Sequence, residues 1–230
     1  NVDHVAAIRQ SRFTTYPDPL KAALICEKAG AAGITIHLRE DRRHIQEKDC
    51  ILIRQNIKTK LNLEMALSDE ITDFALKLKP DDVCIVPEKR KELTTEGGLD
   101  IFKHQKRLLK TIALFNKKGI RVSLFIEPSI KAVTLSKELG AGAVELHTGA
   151  YANLRGASRK KELMRIKKAS AFALTKGLLL NAGHGLDYEN TTPIARIKGM
   201  NELNIGHSII AYSIFTGLEK AVRDMKKLLV

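Results

Sequence analysis

The chain has 230 residues, 44% hydrophobic and 28% charged, a globular composition that excludes disordered and fibrous classes. No apolar run approaches the roughly 18 residues of a spanning helix, and no basic-then-apolar leader is visible, so we expect no membrane partner and no secretion. Lys plus Arg number 39 against 26 Asp plus Glu, a net charge of +13, which favours polyanionic partners, either nucleic acid or phosphorylated metabolites. The basic residues are spread along helical stretches such as Lys160–Lys168, and the chain has no Trp and only 4 Tyr. That pattern reads as solvated helix faces rather than a nucleic-acid platform. The cysteines Cys26, Cys50 and Cys84 lack metal-type spacing, so we expect free thiols in a reducing, cytoplasmic setting.

In chain order, Asn1-Val2-Asp3-His4 reads as the end of a strand cut short, and the missing initiator Met suggests that a few residues precede Asn1. A helix over Asp18–Ala29 stops at Gly30, and strand runs follow at Gly33–Leu38 and Lys60–Ala66. Ile71, Phe74, Ala75 and Leu78 form a helical stripe before a strand over Asp82–Pro87. Leu108, Ile112 and Phe115 form another before Arg121–Glu127. The helix ending Lys137-Glu138-Leu139-Gly140 leads to a strand over Ala143–Thr148, and Gly177 precedes Leu178–Ala182. Glu202–Gly206 is the last strand, followed by one helical face carrying Phe215, Leu218, Val222, Met225 and Leu229. Strands alternating with helices predict a parallel sheet. Seven visible strands plus the truncated first fit a (β/α)8 TIM barrel as a single domain over 1–230, near that fold's usual size. The strand count and the absence of a GxGxxG turn argue against an open doubly wound sheet.

In such a barrel, chemistry gathers where strands end. The polar residues there are Asn1, Asp3 and His4; His37 and Arg39; Asn62 and Glu64; Glu88, Lys89 and Arg90; Glu127; Glu145 and His147; Asn181 and His184; Asn204 and His207. Five of the seven histidines fall at these ends. Residues two apart share a face, so Glu145 and His147 point together, as do His37 and Arg39, and Asn62 and Glu64. Glu64 lies between Leu63 and Met65, where desolvation would lift its pKa toward that of a general base. A structural ion pair with an arginine is the plain alternative. The loops NAGHG and NIGHS offer glycine backbone and a helix N-terminus to a phosphate. Arg39, Arg42, Arg43 and His44 read either as a second anion site or as a solvated face, and Asp41 is not expected to neutralise them. Glu88–Asp100, with Gly97-Gly98, reads as a lid, and Cys84 reads as core. His147, His184, His207 and Glu145 could ligate a metal, but no HxH or HExxH spacing supports one. A metal-dependent sugar-phosphate epimerase or aldolase and a phosphate- or RNA-binding barrel without turnover are the competing functions.

The blocks NVDHVAAIRQSR, GITIHLREDRRHI, NLEMA, VPEKR followed by TTEGGLD, ELHTGAYA, NAGHGL and ELNIGHSII, taken together, resemble the pyridoxine 5′-phosphate synthase family over nearly the whole chain. The resemblance implies a cytoplasmic barrel enzyme condensing 1-deoxy-D-xylulose 5-phosphate with 3-amino-2-oxopropyl phosphate to pyridoxine 5′-phosphate, phosphate and water. It implies acid–base roles for His37 and Glu64, a proton-donor role for His184 and transition-state assistance from Glu145. Asp3, His4, Arg39, His44 and Thr94 match positions that hold the sugar phosphate. Asn1, Arg12, Gly185, Gly206 and His207 match those that hold the amino ketone. It further implies small phosphorylated substrates, no metal, no cofactor, no nucleic acid, and a homo-octamer in which Arg12 reaches a neighbour's site.

Overall fold

The computed structural model describes residues 1–88 and 97–229. The chain opens with helices α1 (Asp3–Gln10) and α2 (Pro19–Lys28), then strand β1 (Gly33–Leu38), α3 (Glu47–Asn56), β2 (Lys60–Met65), α4 (Asp69–Leu78) and β3 (Asp82–Ile85). It continues with α5 (Gln105–Lys117), β4 (Arg121–Ile126), α6 (Ile130–Glu138), β5 (Ala143–His147), α7 (Gly149–Asn153) and α8 (Gly156–Thr175). The last elements are β6 (Leu179–Gly183), α9 (Thr191–Ala195), β7 (Met200–Asn204), α10 (His207–Thr216) and α11 (Leu218–Lys227).

The seven strands are parallel and pair in chain order from β1 to β7. Strands buried on both faces are largely apolar, as in GITIHL and RVSLFI, while KLNLEM alternates Lys60, Asn62 and Glu64 with buried Leu61, Leu63 and Met65. The sheet curls far enough that inward side chains link its two ends. The Thr35 hydroxyl donates to Asn204 Oδ1 at 2.8 Å, and Lys60 Nζ reaches Glu202 at 3.0 Å. Outside the sheet, Ile71, Ala75, Leu108, Ile112 and Phe115 are buried as their spacing requires. Asp18 caps α2, its side chain accepting from the Leu20 N–H, with Pro19 in the first turn. Gly30, Gly140 and Gly177 stop helices in the left-handed region, at φ 96°, 87° and 66°.

Two expectations change. Asp3 and His4 are not strand but the first turn of α1, because Asn1 Oδ1 accepts the Asp3 N–H at 2.7 Å and starts the helix there. The final stripe does not lie on one helix. Gly217, at φ 80°, separates α10 from α11, so Val222 and Met225 are buried while Phe215 is 87% exposed and Leu229 is exposed. β3 and β4 stop before Pro87 and Pro128, which cannot donate to a ladder.

Candidate active site

The parallel register sets His37 beside Glu64 and Glu64 beside Cys84. His37 is held from three sides. Its backbone N–H donates to Asp3 Oδ1 at 2.8 Å, Nε2 lies 2.7 Å from Glu88 Oε1, and Nδ1 lies 3.8 Å from Glu64 Oε2. The other Glu88 oxygen accepts the Glu40 N–H. Burial pushes the Glu88 pKa up, but these hydrogen bonds outweigh it and hold the carboxyl below its ordinary range. Glu64 has no arginine partner among the described residues. Its side chain keeps 17% exposure through the mouth. Burial, then Glu145 and Asp3, raise its pKa well above the ordinary value. The ion-pair alternative is therefore set aside, and a desolvated carboxyl beside an oriented histidine remains.

A second carboxyl, Glu145, is only 2% exposed at the middle of β5. Asn204 Nδ2 donates to its Oε2 at 2.7 Å, while burial carries its pKa up to about 7. Asn204 in turn accepts from Thr35, whose hydroxyl accepts from Asn62 Nδ2 at 3.3 Å. Four strands are thus tied across the interior by one polar chain that ends on a catalytic-type carboxyl. Gly183 makes the approach possible, since a Cβ there would collide with Glu145 Oε1. Cys84 is buried as expected, but it is not plain core: its thiol lies 3.6 Å from Glu145 Oε2. All three cysteines are free.

His184 sits at φ 78°, a conformation L-residues rarely adopt. The buried Thr148 hydroxyl faces both the Gly183 and His184 carbonyls at 2.7 Å and braces the turn. Burial and the neighbouring His147 push the His184 pKa down to about 4, so the ring is neutral at pH 7. Beside it the glycine loops converge. Gly206 immediately precedes α10, a 10-residue helix, and its Cα packs so close to Asn1 that a Cβ would sit 3.0 Å from Asn1 Cβ. His4 and His207 meet edge to face at 4.9 Å between ring centres. Asn1, Asp3, His4, Gly206 and His207 therefore gather at one place, with the Asn1 amide donating to Asp3 at 2.8 Å.

The expected second anion site needs correction. Asp41 does neutralise it, bonding Arg39 Nε at 3.2 Å and Arg43 at 2.6 Å. Burial pushes the Asp41 pKa up, but the two arginines outweigh it and hold the carboxyl well below its ordinary range. Arg42 pairs with Glu47 and Glu70. Arg39 remains buried near the mouth, and the His44 ring lies 6.0 Å from His37. The Arg12 side chain is exposed and makes no hydrogen bond or ion pair among the described residues. Thr94, Lys89 and Arg90, with most of the expected lid, lie outside the described residues.

The metal set His147, His184, His207 and Glu145 is not drawn together as ligands among the described residues. The cluster that could hold an ion is instead Asp3, His37 and Glu64, with ligand atoms within 4.8 Å. Asp3 already accepts from His37 and Asn1 there. Glu88, Asn204, Thr35 and Thr148 are the residues whose roles strand-end reading missed. The first two stood at strand ends, but nothing local announced their partners.

The profile of the family described as "Pyridoxal phosphate biosynthesis protein PdxJ" matches residues 1–230. The chain is 56% identical over 229 residues to pyridoxine 5′-phosphate synthase of Syntrophotalea carbinolica, across 99% of this chain and 96% of that one. It is 51% identical over 230 residues to the protein of the same name from Alcanivorax borkumensis, across 100% of this chain and 94% of that one. Among solved structures, phosphoribosyl anthranilate isomerase from Thermus thermophilus shares the fold at a TM-score of 0.61 and 12% identity, across 91% of this chain and 93% of that one. With a match that spans every residue and two relatives above half identity, the chain belongs to the PdxJ family of pyridoxal phosphate biosynthesis proteins.

Proposed function

We infer that the chain is a pyridoxine 5′-phosphate synthase, joining 1-deoxy-D-xylulose 5-phosphate and 3-amino-2-oxopropyl phosphate to give pyridoxine 5′-phosphate, phosphate and water. The observation that carries this is a pair of buried carboxyls, Glu64 and Glu145, both pushed up from their ordinary value by burial, with Glu64 3.8 Å from a His37 that Glu88 and Asp3 orient. Ring formation needs an amine to attack a ketone, waters and phosphate to leave, and protons to move repeatedly at one substrate. Groups poised near neutral pH serve such transfers best.

In this reading Glu64 accepts protons and His37, gripped by Glu88 and Asp3, works beside it. Glu145, steadied by Asn204, stabilises charge as the ring closes. His184 donates. It starts neutral, and a phosphate dianion bound at the adjacent Gly185 would raise its pKa and charge it as a donor. Asp3, His4, Arg39, His44 and Thr94 hold the sugar phosphate. Asn1, Arg12, Gly185, Gly206 and His207 hold the amino ketone, with the α10 N-terminus facing its phosphate. These side chains suffice for the proton transfers without a metal or cofactor.

The architecture belongs to the same proposal. An eighth strand between β7 and β1 closes the barrel, in line with Asn1, whose amine donates to Ile205 O at 3.0 Å, and Val2, whose N–H donates to Thr35 O at 3.2 Å. The chain then acts as a single catalytic domain over 1–230. No helix among the described residues is long and apolar enough to cross a membrane, which agrees with a cytoplasmic enzyme. Phe13 and Phe215, each 87% exposed, support burial against other copies in an octamer, with Arg12 completing a neighbour's site.

Mixing both substrates with the protein, with and without a chelator, and following the fluorescent pyridinol product tests the reading. Saturable turnover indifferent to chelator is expected. Turnover abolished by chelator would move the assignment to metal-dependent sugar-phosphate chemistry. Salt-sensitive RNA binding with no product would end the enzyme reading.

A further inference from the structure

We propose that His147 is an additional proton-transfer residue of this site, a base held by Glu127 with its other ring nitrogen left without a partner in the protein. The proposal rests on the synthase reading above and adds a residue to it. His147 closes β5, two positions beyond Glu145 and on the same face, and it is 6% exposed. Its ring meets Phe125 edge to face at 5.2 Å and lies tilted against His184 at 5.1 Å between centres. It therefore stands within the mouth, beside the proposed donor.

One nitrogen is fixed. His147 Nδ1 lies 2.8 Å from Glu127 Oε1. That oxygen also accepts the Gly98 N–H at 3.1 Å, while Arg165 from α8 donates to the other at 2.9 Å. Under the His147 hydrogen bond first, and the arginine after it, the Glu127 carboxyl is held down at about 2. An ionised carboxylate only accepts, so the hydrogen between the pair rides on Nδ1 and the lone pair falls on Nε2.

The other nitrogen is unpaired. Nε2 is buried and has no hydrogen-bond partner among the described residues. An unpaired buried polar atom is destabilising, and one is retained where a ligand supplies the missing partner. Residue 149 keeps the approach clear. A Cβ there would stand 2.5 Å from His147 Nε2 and 3.0 Å from His184 Cδ2, so any side chain would fill the space facing both rings. A histidine kept only for packing on Phe125 needs neither the triply anchored carboxylate nor the cleared nitrogen.

The step balances. When an ammonium and a ketone become an iminium and water, two protons move from nitrogen to oxygen. His147 Nε2 takes one as the amine is freed, and the nitrogen's electron pair forms the new C–N bond. The imidazolium, balanced by Glu127, returns that proton to the departing hydroxyl, which leaves as water. His184 carries the other proton, and both rings end as they began. The charged or titratable groups facing His147 are Glu127 from the end of β4, His184 from the β6 loop and Arg165 behind Glu127, with Glu145 farther down its own strand.

Nitrogen-15 NMR of histidine-labelled protein tests the tautomer without any assay. At a pH where the ring carries a single proton, that proton on Nδ1 and an Nε2 signal that moves on adding 1-deoxy-D-xylulose 5-phosphate are expected. A proton on Nε2 overturns the proposal. Kinetically, His147→Gln should keep the melting temperature and KM but lose roughly 10²-fold or more in kcat, together with one limb of the kcat–pH profile. Glu127→Gln should keep that limb and shift it to lower pH, because the imidazolium loses its counter-charge. Wild-type kcat with both limbs in His147→Gln overturns the proposal. If that variant fails to fold, the Glu127→Gln limb decides, and an unshifted limb overturns it too. Absence of pyridinol product from the wild-type protein would sink the synthase reading instead, and the NMR result would still judge the dyad alone.

Discussion

Glu64 and Glu145 are the residues whose state most depends on being buried, and both yield opposite signs for stability and activity. Glu145 has a native pKa of about 7 against an ordinary 4.5. Between those values the folded chain keeps a proton that the unfolded chain has released, so stability falls as pH rises from about 4.5 to 7 and is level above. Glu145→Gln, which cannot ionise and still accepts from Asn204, should therefore raise stability at pH 8 by up to about 3 kcal/mol. The gain should vanish near pH 4, while turnover drops at every pH. Denaturation at the two pH values checks this, and equal effects at both would refute it. Glu64→Gln should behave alike: unchanged or higher melting temperature, intact sugar-phosphate binding and turnover lower by roughly 10²–10⁴-fold. With no arginine beside it among the described residues, no stranded cation there unfolds the variant. Near wild-type turnover would move the base to His37.

At the scale of elements, the site depends on loops tied down behind it. Arg9 in α1 grips Asp49 in α3 through two hydrogen bonds, at 2.6 and 2.7 Å, with both side chains close to fully buried. The Asp49 side chain also accepts the Gln46 N–H at the start of α3. Asp49→Ala would strand the Arg9 charge and should cost about 3–5 kcal/mol, seen as a lowered denaturation midpoint. A change below about 1 kcal/mol, the range of exposed pairs, would mean the pair is solvated. Because α1 also carries Asp3, which anchors the His37 backbone, loss of activity should accompany the loss of stability. Gly183→Ala is the counterpart on the sheet. Its methyl group competes with Glu145 Oε1 for one place, so activity should fall well below wild type even in molecules that remain folded.

For the molecule as a whole, anion binding and assembly are the measurable properties. Inorganic phosphate should seat on the Gly185 and Gly206–His207 backbone and stabilise the fold by about 2.7 kcal/mol at a hundredfold excess over its dissociation constant, seen as a higher melting temperature. Crystals soaked in phosphate with that place empty, and anions only on outer helices, would contradict the placement. Light scattering should report an assembly larger than a monomer, and a fully active monomer would remove the role of Arg12 in a neighbour's site.

The sequence by itself determined the repeating unit. Apolar runs, helical stripes and the glycine stops at Gly30, Gly140 and Gly177 are local properties, set by side-chain period and backbone conformation within a few residues. It also marked Glu64, His37, His184 and Glu145 as strand-end chemistry, because polar residues closing apolar strands stand out against their neighbours. Only the tertiary structure decided what each of those residues meets. Asp41 neutralising Arg39 and Arg43, Glu88 gripping His37 across 51 residues and Glu127 gripping His147 across 20 depend on which side chains the curled sheet brings together. The break at Gly217 and the shift of Asp3 from strand to helix are local by contrast, set by a left-handed glycine and by the Asn1 side chain two residues away, which the apolar period does not register. The raised carboxyl pKa values, like the side-chain pairings, are tertiary: desolvation is a property of everything packed around a group, and no stretch of neighbouring residues carries it.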